Sequence, residues 1–412
     1  VAPPVYVVSS ARTPIGKFGG MLAEFSAADL GVIAVRTALE RAFGVLPTAR
    51  VPGSKSAEAN LAATPYHVDQ LLLGNARPAG TGPNVARQVT WRAGLGDDVP
   101  AFTVNMACAS GLRAILLGAQ QIQLGEAGLV VAGGTESMSR VPYLLDGRWG
   151  FKMGHQQLTD AMYSDGLFCP MAEMVMGETA EALAQFYQIG RAEQDGYALE
   201  SHRRAAAALT AGHFRTEIAA VTRTDKKGNA VSLDTDEHVR TDVTAERLAM
   251  LAPVFGKNGT ITAGSSSGIT DGAAAVVLAS EAKLRELNLR PLARIVDATV
   301  AAVEPRAMGV GPVPAVNSLT ARTGWKLADY DAIELNEAFA AQVLACDREL
   351  SFDRARLNTQ GGAIALGHPI GCTGARIVTT LLHQLARTGG KRGLATLCVS
   401  GGMGVALALE MA

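Results

Sequence analysis

A chain of 412 residues with 48% hydrophobic and 18% charged residues is too long for one hydrophobic core and too apolar for disorder, so two or three domains are expected. Lys plus Arg number 37 against 38 Asp plus Glu, which leaves no basic field to attract nucleic acid or an anionic membrane. Five cysteines without a CxxC pair, and no apolar run near the ~18 residues of a membrane span, exclude a disulfide framework, a structural zinc site and a transmembrane helix. The opening VAPPVYVVSSARTP lacks the charged-then-apolar order of a secretory signal. A cytoplasmic location is expected, with a processed organelle form as the alternative.

VYVVSS (5–10) predicts a strand, and Leu30, Ile33, Ala34 and Ala38 mark a helix. The polar, Pro-bounded stretch ARVPGSKSAEANLAATPY (49–66) predicts a solvated surface insertion. QLLLGN (70–75) is a second strand and AFTV (101–104) a short buried one. Leu112, Ile115, Leu116, Ala119 and Ile122 then recur at helical spacing, and GLVVAGG (128–134) is a further strand. Alternation of this kind predicts an α/β fold with a mainly parallel, buried sheet. From about 135 to 268 the rhythm breaks. That segment is rich in Met, Gly and charge, with helices in TAEALAQFYQ and ESHRRAAAALTAG but few strand runs. AAAVVLAS (273–280) restores the strand pattern, which continues through IELNEAFAA (333–341), a helix on Ile377, Val378, Leu381, Leu382 and Leu385, and the strand GLATLCVSGG (393–402).

The helix 110–125 leads into GLVVAGG, and the helix near 380 leads into GLATLCVSGG; both strands end in Gly-Gly. Two similar α/β halves facing each other would bring loops from both to one shared site. The division read from these patterns is an N-terminal half of 1–136 with 270–289, an inserted cap of 137–269, and a C-terminal half of 290–412.

Four side chains fall where such loops converge. Cys108, in VNMACASGL, lies between strand and helix, where backbone N–H groups and the helix dipole stabilise a thiolate; a small buried thiol fits the same position. Asn336 follows a strand, either as an N-cap or as a polar group of the site. His368 sits in the Gly-rich NTQGGAIALGHPIGCTGAR, and Cys398 ends a buried strand before a glycine turn. Together they are the parts of acyl transfer: a thiol nucleophile, a base to ionise it and donors for an oxyanion. Cys398, with an ordinary thiol pKa of about 8.5, suits the acid that protonates a carbanion leaving group.

In this order, VNMACASGL, AGSSSGITDGAAA, NEAFA, GGAIALGHPIGCTGAR and CVSGGMG resemble the thiolase family of acyl-CoA acetyltransferases, and the likeness runs from SSARTPIGKFGG to the end of the chain. The resemblance implies a layered α/β fold of two similar halves with an inserted cap or loop domain. It also implies an acyl-CoA:acetyl-CoA C-acyltransferase of fatty-acid metabolism that works by ping-pong thiolysis or Claisen condensation through an acyl-cysteine. Cys108 then matches the nucleophile and His368 its base. Asn336 matches the residue holding a water that, with His368, forms the first oxyanion hole. Cys398 matches the second acid/base, and the backbone N–H groups of Cys108 and Ser400 the second hole. Ser267 matches a pantetheine contact, and Phe255 and Arg240 line the groove for coenzyme A, where a guanidinium suits a phosphate. Arg247 stands where many relatives carry a smaller residue.

Met176 and Phe339 fall on the acyl pocket, as does Val175, where short-chain relatives have histidine. Losing that polar group loosens strict acetoacetyl-CoA specificity, because one methylene in an apolar pocket discriminates by only about 1–3 kcal/mol. Ser400 replaces a usual glycine, which is tolerable where φ is negative. The implied ligands are CoA and acyl-CoA thioesters as substrates, with no tightly bound cofactor and no metal, in a homodimer or homotetramer. Two other readings share the fold. A ketoacyl synthase-like condensing enzyme would lack Cys398, and a catalytically silent acyl-CoA-binding protein has no need of all four residues.

Overall fold

In a computed structural model, residues 2–53 and 64–412 are described; most of the insertion read at 49–66 therefore lies outside the described residues. The N-terminal half runs β1 (Val5–Arg12), α1 (Ala27–Phe43), β2 (Gln70–Gly74), α2 (Val85–Arg92), β3 (Ala101–Val104), α3 (Ser110–Gln123) and β4 (Leu129–Ser137). The cap follows, with α4 (Met176–Phe186), α5 (Arg191–Thr210) and a hairpin pairing Val221–Thr224 with Ala230–Leu233. Then come β5 (Thr270–Ser280), β6 (Ala293–Ala302), α6 (Pro312–Thr323), β7 (Ala332–Leu335), α7 (Ala340–Leu350), α8 (Ile370–Thr388), β8 (Arg392–Val399) and β9 (Met403–Met411).

These strands form one sheet in the order β7-β8-β9-β6-β1-β5-β4-β2-β3, with Gly16–Lys17 paired to the start of β5. The halves join at its middle, where β1 and β6 pair antiparallel through Val5 with Ile295 and Val7 with Ala293. On one side β2 runs parallel to β3 and β4; on the other, β7 runs parallel to β8. AFTV proves to be the edge strand β3 rather than a buried one. Phe102 is 37% exposed, and an apolar quartet does not reveal whether a second strand covers its outer side.

Helices α3 and α8 pack together in the centre, sharing one core with β1, β4, β5, β8 and β9. On the opposite faces, α1 and α2 cover the N-terminal half, and α6 and α7 the C-terminal half. This is the layered α/β fold of two similar halves that the alternating pattern predicts. The sheet is not mainly parallel as expected: β8-β9, β9-β6, β6-β1, β1-β5 and β5-β4 all pair antiparallel. An apolar run buried on both faces reads the same in either pairing. The central helices approach closely because each carries a glycine at the contact. A Cβ on Gly374 would lie 2.3 Å from the Leu112 backbone nitrogen, and one on Gly111 would lie 2.9 Å from that of Ala375. The glycines of CASG and CTGA thus let two helix N-termini meet.

β1 is tied to the cap by a buried charge cluster. The fully buried Arg12 guanidinium donates to Glu217 at 2.6 Å and, in a fork, to Asp236 at 2.7 and 2.8 Å. Replacing Arg12 by methionine would strand two buried carboxylates. An equilibrium urea titration is expected to show a loss of about 3–5 kcal/mol.

Candidate active site

The nucleophile candidate sits on a tightly pinned turn. Between β3 and α3, Ala107 takes the left-handed conformation (φ 45°), rare for a side chain with a Cβ. Three hydrogen bonds hold it: Ser110 Oγ accepts from Met106 N–H (2.9 Å) and donates to the Ala107 carbonyl (2.6 Å), while Asn105 Oδ1 accepts from Ala107 N–H (3.0 Å). Cys108 follows, one residue ahead of the N-cap Ala109. His368 holds the equivalent place in the other half, one residue ahead of Pro369, which caps α8. The sequence echo between the halves thus places a thiol and an imidazole at two neighbouring helix N-termini.

Cys108, His368, Cys398 and Ser400 line one cavity of about 180 Å³, whose walls also include Ser267, Met176, Phe255 and Phe339. The two phenyl rings meet edge to face, 6.1 Å between centroids. Burial pushes the Cys108 thiol up, opposed by the backbone N–H of Ser400, which hydrogen-bonds its sulfur, and by the charge of Arg77. Ser400 can stand in place of glycine because the left-handed positions of this turn are Gly401 and Gly402 (φ 88° and 84°).

His368 is 6% exposed, and its tautomer follows from its neighbours. The Thr373 hydroxyl donates to the Pro369 carbonyl (2.9 Å), so it accepts from His368 Nδ1 at 2.6 Å. Nε2 is left as the lone-pair nitrogen, 3.5 Å from Asn336 Nδ2. Burial, then the Arg376 and Arg77 charges, lower the imidazole pKa from 6.5 to about 3. A neutral base is therefore held ready throughout the neutral pH range. Burial also raises Cys398 well above an ordinary thiol, followed by the nearby Cys108 and Cys346. With the Cys108 thiol, the cavity thus holds a proton acceptor and a retained proton donor, the separation that acid–base chemistry requires.

Two family models match, the thiolase N-terminal domain over residues 54–282 and the thiolase C-terminal domain over 289–411. The acetyl-CoA acetyltransferase of Chromobacterium violaceum is 47% identical over 407 residues, covering 98% of this chain and 99% of that protein. The chain belongs to the thiolase family. Crystal structures agree. The Bacillus anthracis acetyl-CoA acetyltransferase superposes with a TM-score of 0.92 at 42% identity, and human mitochondrial 3-ketoacyl-CoA thiolase with 0.91 at 41%; each covers 100% of this chain and 99% of its own. The chain is thus an acyltransferase with thiolase activity.

Four other expected site residues of this thiolase lie outside the lining of that cavity. Asn336 is not an N-cap, because α7 begins at Ala340 and Phe339 occupies that position; it is fully buried behind His368 instead. Val175 does not line the cavity. It pairs with Phe168 and precedes α4, its N–H bonded to Glu178 Oε2 (2.8 Å), while the next residue, Met176, faces the cavity. Arg240 and Arg247 are exposed and line a separate cavity of about 170 Å³ with His202, His238 and Asp242. Arg247 is paired with Asp242.

The sequence pattern missed the supporting polar groups. Buried Glu136 on β4 accepts from Asn75 Nδ2 (2.7 Å) and from the backbone N–H groups of Ala76, Arg77 and Gly371. It thereby ties the loop after β2 to the start of α8. Glu337 accepts from Tyr197, Ser201, Asn358 and the Ile364 N–H, fixing the backbone next to Asn336. An acidic residue near the end of an apolar strand (Glu136) or two residues past one (Glu337) was the readable sign. Met308 and Arg77 also line the cavity; Arg77 was legible only as a charge directly after a strand.

The histidine has a measurable linkage. Its folded pKa of about 3 lies below the ordinary 6.5, so the unfolded chain binds more protons between those values. Its contribution to stability is complete above pH 6.5 and declines as pH falls toward 3. Urea titrations at several pH values should therefore show wild type losing more stability on acidification than His368→Asn, by up to about 1.4 kcal/mol per pH unit.

Proposed function

We propose that this thiolase exchanges acyl groups between acyl-CoA thioesters through an acyl-Cys108 intermediate, in a ping-pong cycle that runs as thiolysis or as condensation. The observation that carries the reading is the single cavity joining Cys108, neutral His368 and protonated Cys398. In thiolysis, His368 Nε2 takes the Cys108 proton and the sulfur attacks C3 of a 3-oxoacyl-CoA. The C2–C3 bond breaks, its electron pair moves to C2 as a thioester enolate, and Cys398 protonates C2 to give acetyl-CoA. CoA then attacks the acyl-enzyme, its thiol proton passes to Cys398, and the Cys108 sulfur recovers its proton from His368. The N–H groups of Cys108 and Ser400 receive charge on one oxyanion; His368, with a water held by Asn336, receives it on the other.

Ser267 and Phe255 contact the pantetheine arm and Met176 and Phe339 the acyl group, while Arg240 and Arg247 lie toward the phosphates. CoA is a substrate here, and no tightly bound cofactor or metal enters the cycle. Residues 1–136 with 270–289 and residues 290–412 act as the two halves, with 137–269 as the cap. Exposed Tyr143, Leu145, Trp149 and Phe151 and the open edge of β3 support a homodimer or homotetramer, and a cytoplasmic enzyme fits the sequence. The test is product analysis of the purified chain with acetoacetyl-CoA and longer 3-oxoacyl-CoAs plus free CoA. Equal yields of acetyl-CoA and the shortened acyl-CoA are expected. Hydrolysis to free acids, or no consumption at all, would overturn the assignment.

A further inference from the structure

One charged side chain in the cavity moves no proton and forms no bond in this cycle, although its charge acts on Cys108 and His368. Directly after β2, in GNARPAG, Arg77 lines the same space as Cys108, His368 and Cys398 and is 5% exposed. Among the described residues, no carboxylate lines that space. The guanidinium has five N–H donors, yet among the described residues it makes one hydrogen bond, from Nη1 to the neighbouring Ala76 carbonyl (2.9 Å), and Nε is buried without a partner there. Glu136 influences it through space, but the carboxylate oxygens of Glu136 are occupied by Asn75 and three backbone N–H groups.

The fold makes room for the cation. A Cβ on Gly166 would lie 2.3 Å from Arg77 Nε and 2.4 Å from Nη2, so the guanidinium rests on a glycine in the π-helical turn Tyr163–Leu167. Ala76, beside it, packs with Met138 and Ile370, against which Cys108 and Leu167 also rest.

A buried guanidinium short of acceptors is costly unless something pairs with it. Of an acyl-CoA bound with its thioester at Cys108, the acyl group is the part that reaches this wall, because the phosphates lie at the far end of the pantetheine arm. A saturated acyl chain would leave Arg77 unpaired, whereas a carboxylate would meet it in a charge-assisted, two-pronged pair. We propose that Arg77 makes this thiolase selective for ω-carboxyacyl-CoA thioesters and the corresponding 3-oxo-ω-carboxyacyl-CoAs. The selectivity rests on the acyl-transfer reading above and leaves its bond changes unaltered: the acyl group left on Cys108 simply carries a terminal carboxylate.

The test compares matched pairs, glutaryl- with pentanoyl-CoA and adipyl- with hexanoyl-CoA, with acetyl-CoA as reference, scoring kcat/KM for loading of the enzyme. Wild type is expected to favour the carboxylated member by at least about tenfold. Arg77→Leu should lower that ratio by about a hundredfold or more, and Arg77→Lys should retain part of it. If Arg77→Leu shows no cooperative melting transition, Gly166→Ala, which displaces the guanidinium, should lower the ratio in its place. Loading of acetyl-CoA with a ratio near one, unchanged in the variants, or a wild-type preference for the saturated member, overturns the selectivity and leaves the acyl-transfer reading standing. No loading by any thioester removes both.

Discussion

Cys108→Ala is expected to lower thiolysis of 3-oxoacyl-CoA at least about a thousandfold, because burial keeps the remaining thiol of the cavity, Cys398, protonated and hence a poor nucleophile. His368 is already neutral and oriented by Thr373, but a base without a thiol to ionise supplies only general catalysis. The substitution removes one sulfur from a side chain that lines a cavity, so the melting temperature should change little. Initial-rate assays on wild type and variant, with melting curves alongside, check both parts. Turnover within about tenfold of wild type in a folded variant would place the nucleophile elsewhere.

Cys398→Ala is expected to separate the two half-reactions. Acyl transfer from a simple acyl-CoA to Cys108 uses His368 as base and expels a thiolate; an ordinary thiol pKa of about 8.5 lets it leave without the Cys398 proton, so loading should persist within about tenfold. Carbon–carbon cleavage and condensation need a proton delivered to, or taken from, the α-carbon, and these should fall by at least about a hundredfold to ten-thousandfold. Rapid-quench measurement of loading beside steady-state thiolysis separates the steps. Equal impairment of both would assign Cys398 to shaping the cavity rather than to moving a proton.

The strands were legible because most are continuous apolar runs buried on both faces. β4 and β5 carry that pattern nearly without interruption. AFTV misled because edge and centre look alike over four residues. At the site, Cys108 and His368 stood out because each lies on a glycine-flanked turn before a helix, and the fold brings those two turns together. Asn336 was equally visible as a polar residue, but its partner, His368, is 32 residues away in sequence; only the parallel pairing of β7 with β8 brings its loop to the site. Val175 and Met176 show the limit of position matching. Adjacent residues at a strand-to-helix junction point in different directions, and one of them faces the cavity. The partners of Glu136 were unreadable because most are backbone groups, and nothing in the side-chain pattern records which backbone N–H a carboxylate will meet.

The most direct test of the central claim is the intact mass of the protein after brief exposure to acyl-CoA, with peptide mapping and Cys108→Ala in parallel. One acyl adduct is expected, located on Cys108, removed by free CoA and absent from the variant. An adduct on another residue, or none under conditions where the wild-type protein turns over 3-oxoacyl-CoA, would contradict the acyl-cysteine mechanism.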